Sequence, residues 1–202
     1  MEYEMVEIGV GDYDIASERV GGLCLLVEPN PIYYRQLAAR DIPRWTISPE
    51  AVGGETGRDT LFYVSQEEVM RCSDKLPWYL GGCSTIRKPS PELLLWAMPL
   101  IQTISVDVLT LSDLFLKYDV TGMKILKLSM EGHDEIAMFQ YLKIVEERPE
   151  LLAHYISYKN KWFSLHERKR QLEEALEKLG YVLDSHSQEI TTIAMLKLRK
   201  RK

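Results

Sequence analysis

The sequence predicts an α/β fold built on a mostly parallel sheet, and three observations carry that prediction. An apolar run, Met5-Val6-Glu7-Ile8, gives way to Gly9-Val10-Gly11 and then to a short helical pattern from Ile15 to Val20. That is the order of a strand feeding a helix through a tight turn. A second apolar run, Leu23-Cys24-Leu25-Leu26-Val27, ends in Glu28, and a third, Met123 to Leu128, runs into Ser129-Met130-Glu131-Gly132-His133-Asp134. Strands that end in acids and glycines ahead of a helix put polar groups at the carboxyl edge of a parallel sheet, where such folds bind ligands.

The remaining elements follow in order. After Glu28, Asn30 suits an N-cap and Pro31 the first helical position, so Ile32 to Arg40 reads as a helix, with Tyr34, Leu37 and Ala38 on its sheet-facing side. Arg44 to Ile47 is a third strand, and Ser48 to Gly54 a loop at the carboxyl edge. Gly57 to Val64 and Thr103 to Leu109 alternate as strands. The weaker pattern from Ser65 to Pro99 reads either as a binding lid over the site or as a surface insertion with a small core of its own. Ser112 to Tyr118 and Ile136 to Val145 are helical, and Leu151 to Ser157 is a strand. Leu165 to Leu179 carries one apolar stripe stopped by Gly180. Tyr181 to Leu183 and Thr191 to Leu198 close the chain as a hairpin, followed by a basic tail.

Composition narrows the class. The 202 residues suit one α/β domain, residues 1–202, with ordinary hydrophobic (46%) and charged (27%) content. A net charge of -5 argues against a general nucleic-acid binder. Cys24, Cys72 and Cys83 show no C-x-x-C spacing, so neither a zinc site nor a disulfide framework is expected. No apolar run reaches ~18 residues, and the acidic start enters a strand at once, so neither a membrane span nor a signal peptide is expected. The expected location is cytoplasmic. The short lead before the first strand implies a domain drawn from a longer polypeptide.

The turn after the first strand restricts the ligand. A dinucleotide fingerprint needs glycine where Asp14 stands, and no G-x-x-x-x-G-K-[ST] loop occurs. A ligand with ribose but no phosphate fits better. Glu28 suits the ribose hydroxyls, because a carboxylate accepts from both. S-adenosylmethionine has that ribose, and its cationic amino and sulfonium groups suit the acids Glu7, Asp12 and Asp14. Glu50 or a neighbour could accept from an adenine amino group, or be a solvated loop acid.

Several blocks, in order, resemble the FkbM family of S-adenosylmethionine-dependent methyltransferases. They are Val6-Glu7-Ile8-Gly9-Val10-Gly11, Val27-Glu28-Pro29-Asn30-Pro31 with Tyr34 and Leu37, Glu50-Ala51-Val52-Gly53 with Gly57, Gly82-Cys83-Ser84, Leu126 to Asp134, and Leu179-Gly180-Tyr181. The resemblance implies a class I methyltransferase, Rossmann-like three-layer sandwich: a mostly parallel seven-stranded sheet with an antiparallel terminal hairpin strand. It implies cofactor contacts from Glu7, Gly9, Gly11, Asp12, Glu28, Pro29, Glu50, Ala51 and Ser129. It also implies O-methylation of a sugar hydroxyl on a glycan or glycoconjugate, with associated glycosyltransferase domains as possible partners. The alternatives are a lipid or small natural-product acceptor, or a non-catalytic cofactor- or glycan-binding module. Ser129 stands where the family usually has an aspartate. Glu131 with Asp134 makes a thin oxygen set for a hard cation, so no metal site is expected.

A sugar hydroxyl is a poor nucleophile unless a base takes its proton, which is worth roughly 10²–10⁴-fold. His133 or Glu131 is the expected base, both lying just past a strand end. The competing reading makes His133 a surface residue at a helix N-terminus, and lets Glu131 orient the cofactor's amino group or cap the helix. His154 reads as a core histidine.

Overall fold

The computed structural model describes residues 1–11, 15–72, 74–86, 88–89, 91–159, 166–186 and 190–195. Asp12 and Asp14, Arg87, Leu165 and the basic tail lie outside the described residues. The elements, in chain order, are β1 (Glu2–Ile8), β2 (Cys24–Val27), α1 (Pro31–Ala38), β3 (Trp45–Ser48), β4 (Ala51–Val52) and β5 (Gly57–Tyr63). Then come α2 (Gln66–Arg71), β6 (Thr85–Ile86), α3 (Pro91–Ala97), β7 (Gln102–Leu109), α4 (Leu111–Lys117) and β8 (Gly122–Leu128). The chain finishes with α5 (Asp134–Glu147), β9 (Tyr155–Lys159), α6 (His166–Lys178), β10 (Tyr181–His186) and β11 (Ile190–Met195).

The main sheet runs in the order β10-β11-β9-β8-β1-β2-β3. Every neighbour from β9 to β3 pairs in parallel, and β11 pairs antiparallel with both β9 and β10. The antiparallel strand is thus the last in sequence but lies inside the sheet, between two strands of opposite direction. β2 is apolar throughout because both its faces are covered, while β1 and β8 carry Glu2, Glu4 and Glu7 and Lys124 and Lys127 among their apolar residues. Val6, Ile8, Leu25, Val27, Leu126 and Leu128 face one core, which Leu114 of α4, Ala137 and Tyr141 of α5 and Leu172 of α6 complete. Met5, Cys24 and Leu26 point the other way, onto Leu37 of α1 and Ile15. The result is three layers.

Between β3 and β8 the chain builds a second sheet, in the order β4-β7-β5-β6. The strands expected at 57–64 and 103–109 belong here. β5 pairs antiparallel with β6 and β7, while β4 runs parallel to β7. Ala51, Leu61, Tyr63, Ile86, Val106 and Val108 form its core, on which Ile32 of α1 packs. Residues 65–100 form a satellite core of Val64, Val69, Leu76, Leu80, Cys83, Leu93 and Ala97. Of the two readings of this segment, the insertion with its own core describes its packing, and its inner edge also covers the site.

Local differences have local causes. The helix expected from Ile15 to Val20 is a single 3-10 turn, Ala16–Arg19, with Glu7 closing its start. On α1 the buried residues are Tyr33 and Leu37, four apart, and Ala38 is exposed; the face is one residue round from that expected. The strand expected from Leu151 starts at Tyr155, because Pro149–Leu151 forms a 3-10 turn that drops Leu151 into the core. His154 is exposed rather than in the core. Among the described residues no helix is long and apolar enough to cross a membrane.

Tyr141 locks the sheet to α5. Its buried hydroxyl accepts from Ala153 N–H at 2.7 Å and donates to Leu151 C=O at 3.0 Å, ahead of β9. Tyr141→Phe leaves both backbone groups short of a partner in a dry site and is expected to cost about 1–3 kcal/mol of stability in urea unfolding. An unchanged midpoint and slope would show that the hydroxyl contributes nothing.

Candidate functional site

Three strand ends of the main sheet meet at its carboxyl edge, and the second sheet covers them. The first turn depends on glycine twice, for different reasons. Gly9 has φ +78°, and a Cβ there would collide with the backbone carbonyl oxygen of Ser129 at the end of β8. Gly9 is therefore required by the close approach of two strand ends, whatever ligand lies above. Gly11 has φ +64° and open space where a Cβ would go, so its need is conformational. Its N–H points at Glu28.

Glu28 is 4% exposed. Its Oε2 accepts from Gly11 N–H at 2.8 Å and its Oε1 from Asn30 N–H at 2.8 Å. The carboxylate is thus held by the loops after β1 and β2, with its orientation set from the backbone. A carboxylate offers about four acceptor positions. Glu28 and the adjoining Pro29 line an open cleft of about 730 Å³, together with Gly9, Gly11, Ala51 and Ser129.

Two acids expected to contact a cofactor do other work. Glu7 is fully buried and is not among the cleft-lining residues. It accepts from Ala16 N–H (3.0 Å) and Ser17 N–H (2.9 Å) and pairs with Lys127 Nζ at 2.8 Å, so it ties the 3-10 turn to β1 and β8. Glu50 also lies off the cleft, engaged by Ser48, Lys117 and Tyr118. Burial pushes the Glu50 carboxyl up, but the bonds from Lys117, Ser48 and Tyr118 outweigh it and hold it below the usual glutamate value. An acid at a strand end reads the same in sequence whether it faces a ligand or a backbone N–H.

The loop after β8 supplies the opposite wall. Ser129, Met130, Glu131 and His133 all line the cleft. Glu131 is 7% exposed and adopts φ +45°, an uncommon conformation for a residue with a side chain. Its Oε1 pairs with Lys159 Nζ, while its Oε2 is buried and has no hydrogen-bond partner among the described residues. His133 occupies the N-cap of α5, the place the helix N-terminus reading gives it, and it is half-buried and lines the cleft. Asp134, 1% exposed, joins the two strand ends: Oδ2 accepts from Met130 N–H at 2.9 Å and Oδ1 from Lys159 N–H at 3.0 Å.

Lys159 is a cleft residue that the sequence reading did not weigh for the site: it closes β9 at the carboxyl edge, lines the cleft and pairs with Glu131. From the insert, Gly82, Ser84, Thr85 and Ile86 close the cleft. Asn30 Nδ2 donates to Ser84 Oγ at 3.1 Å, and Thr85 Oγ1 donates to Glu131 C=O at 3.4 Å. Among the described residues no group of three His, Cys, Asp or Glu side chains is arranged to hold a metal ion.

The cleft walls combine a fixed carboxylate beside Gly11, an apolar slot of Ala51, Val52, Leu61 and Ile86, and a buried carboxylate oxygen of Glu131 that has no donor among the described residues.

No family model matches the chain, and no curated protein does. Among solved structures, the methyltransferase FkbM from Methylobacillus flagellatus is similar in fold, with a TM-score of 0.52 and 13% identity. The match covers 96% of this chain and 44% of that one, so this chain spans less than half the length of the protein it resembles. The property the two chains share is the α/β fold.

Burial pushes the Asp134 carboxyl up to about 6, partly opposed by the N–H bonds from Lys159 and Met130. The folded carboxyl thus holds its proton more tightly than an unfolded aspartate, near 3.9. The stability it contributes is full below that lower value and is lost as pH rises through about 6, a change of about 3 kcal/mol. Unfolding free energies from pH 4 to 7.5 are expected to fall by this amount in the wild type relative to Asp134→Asn. Parallel curves for the two proteins would refute the assignment.

Proposed function

We propose that the chain is an S-adenosylmethionine-dependent O-methyltransferase acting on a sugar hydroxyl of a glycan or glycoconjugate. The observation that carries this reading is the Glu28 carboxylate, fixed by Gly11 and Asn30 N–H groups at the carboxyl edge of the sheet. Such an acceptor suits ribose, and the fold is that of a methyltransferase. The bound cofactor would supply the methyl group on its sulfonium. Gly9, Gly11 and Ser129 would hold its methionine part and Ala51 its base. Glu7 acts one step back, by holding the turn.

The chain's own contribution to the chemistry is positioning, water exclusion and proton removal. The nucleophilic oxygen must approach the methyl carbon to about 3–3.5 Å, in line with the leaving sulfur. Glu131 Oε2 is a buried acceptor in the cleft wall, suited to a hydroxyl proton, and His133 lies beside it at the start of α5. One of the two takes the proton as the oxygen bonds to carbon. The insert roofs the cleft and keeps bulk water from the sulfonium.

A second acceptor class, a lipid or other apolar acceptor, is favoured by one observation. The insert exposes Leu94, Leu95 (75% exposed), Trp96 and Met98 in succession, next to the segment that roofs the cleft.

Calorimetric titration with S-adenosylmethionine and S-adenosylhomocysteine is the first test. The wild type is expected to bind both, and Glu28→Ala to lose about 10- to 100-fold in affinity, since a charge-assisted hydrogen bond is worth about 1.5–3 kcal/mol. With a methylated-glycan precursor panel, Glu131→Ala or His133→Ala is expected to reduce turnover ~10²–10⁴-fold with cofactor binding retained. No binding by the wild type would sink the reading. Full turnover in both alanine variants would remove the base from these residues.

A further inference from the structure

The hydrogen bond between Asn30 and Ser84 has a fixed polarity. Asn30 is fully buried and caps α1 through Oδ1, which accepts from Ile32 N–H at 3.0 Å. Turning the amide over would set an NH2 group against that N–H, so the cap determines which end faces Ser84. It is Nδ2, donating to Ser84 Oγ at 3.1 Å. An amide nitrogen cannot accept, so Ser84 has no bond to return to Asn30. A hydroxyl carries one proton to donate. Among the described residues Ser84 gives it to no protein atom, and Ser84 lines the cleft.

Asn30 also fixes Glu28, through its backbone N–H on Oε1 at 2.8 Å. One buried residue therefore orients an acceptor and a donor on the same wall. We propose that Glu28 and Ser84 together form a receptor for the vicinal diol of a nucleoside ribose, Glu28 accepting from the hydroxyls and Ser84 donating to one of them. The inference rests on the nucleoside-binding reading above and adds a specificity-determining residue to it. Each ribose hydroxyl is both donor and acceptor. A carboxylate satisfies only the donor half, and the serine supplies the other. A ligand lacking the hydroxyl that Ser84 serves leaves a wall group without a partner, which is how a polar site rejects a deoxy analogue. The acceptor comes from the main sheet and the donor from the insert.

The test is calorimetric titration of the full chain with S-adenosylhomocysteine, adenosine, 2′-deoxyadenosine and 3′-deoxyadenosine, for the wild type, Ser84→Ala and Ser84→Thr. The wild type is expected to prefer adenosine over both deoxynucleosides. Ser84→Ala is expected to weaken adenosine about 3- to 10-fold and to erase that share of the preference against one deoxynucleoside only. Ser84→Thr, which keeps the hydroxyl, is expected to restore it. If Ser84→Ala weakens all three nucleosides by the same factor, Ser84 only supports Asn30 and the proposal is wrong. A wild type that binds S-adenosylhomocysteine without discriminating the deoxynucleosides also overturns it. A wild type that binds no nucleoside overturns the nucleoside reading itself.

Discussion

The close approach of Gly9 to Ser129 sets the geometry of everything above the sheet. The ends of β1 and β8 touch backbone to backbone there, and Ser129 N–H donates to Ile8 C=O at 2.9 Å. Because no side chain intervenes, the two following loops diverge from one point. The first loop brings Gly11 N–H to Glu28, and the second carries Glu131 and His133 to the facing wall. A side chain at position 9 would push these loops apart and open the cleft at its floor.

Acids in this molecule divide by what their oxygens touch. Glu7, Glu50 and Asp134 are buried acids that satisfy backbone N–H groups or neighbouring hydroxyl and ammonium groups, and they hold turns in place. Glu28 and Glu131 line the cleft instead. Glu131 combines a left-handed backbone, an ammonium on one oxygen and a buried second oxygen without a donor among the described residues. Strain and incomplete satisfaction of this kind are costly to stability, and they gather where a ligand completes the set.

The parallel core was legible in the sequence for a simple physical reason. Strands covered on both faces are rich in apolar residues, so β2 reads as one apolar run and β1 and β8 as runs broken by single charges, Glu7 in the one and Lys124 and Lys127 in the other, and Asn30-Pro31 marks the start of α1 by its cap chemistry. The second sheet was not legible as a separate unit, because β4 and β6 are two residues each and too short to show alternation. The start of β9 was misread because Leu151 is apolar yet drawn into the core by a 3-10 turn, and Lys159 stood out as a site residue only once its pairing with Glu131, 28 residues earlier, was seen. Glu28 and Glu50 looked alike in sequence, each an acid beside a strand end. Only the position of Lys117, 67 residues further along the chain, separates them.

The roof and the floor of the cleft come from different sheets. The insert carries two apolar clusters of its own and bonds the floor at Ser84 and Thr85, and Val52 of its second sheet joins the main core. Away from these points the roof can change in sequence while the carboxylate cradle stays as it is, as a tool keeps its handle when the bit is changed.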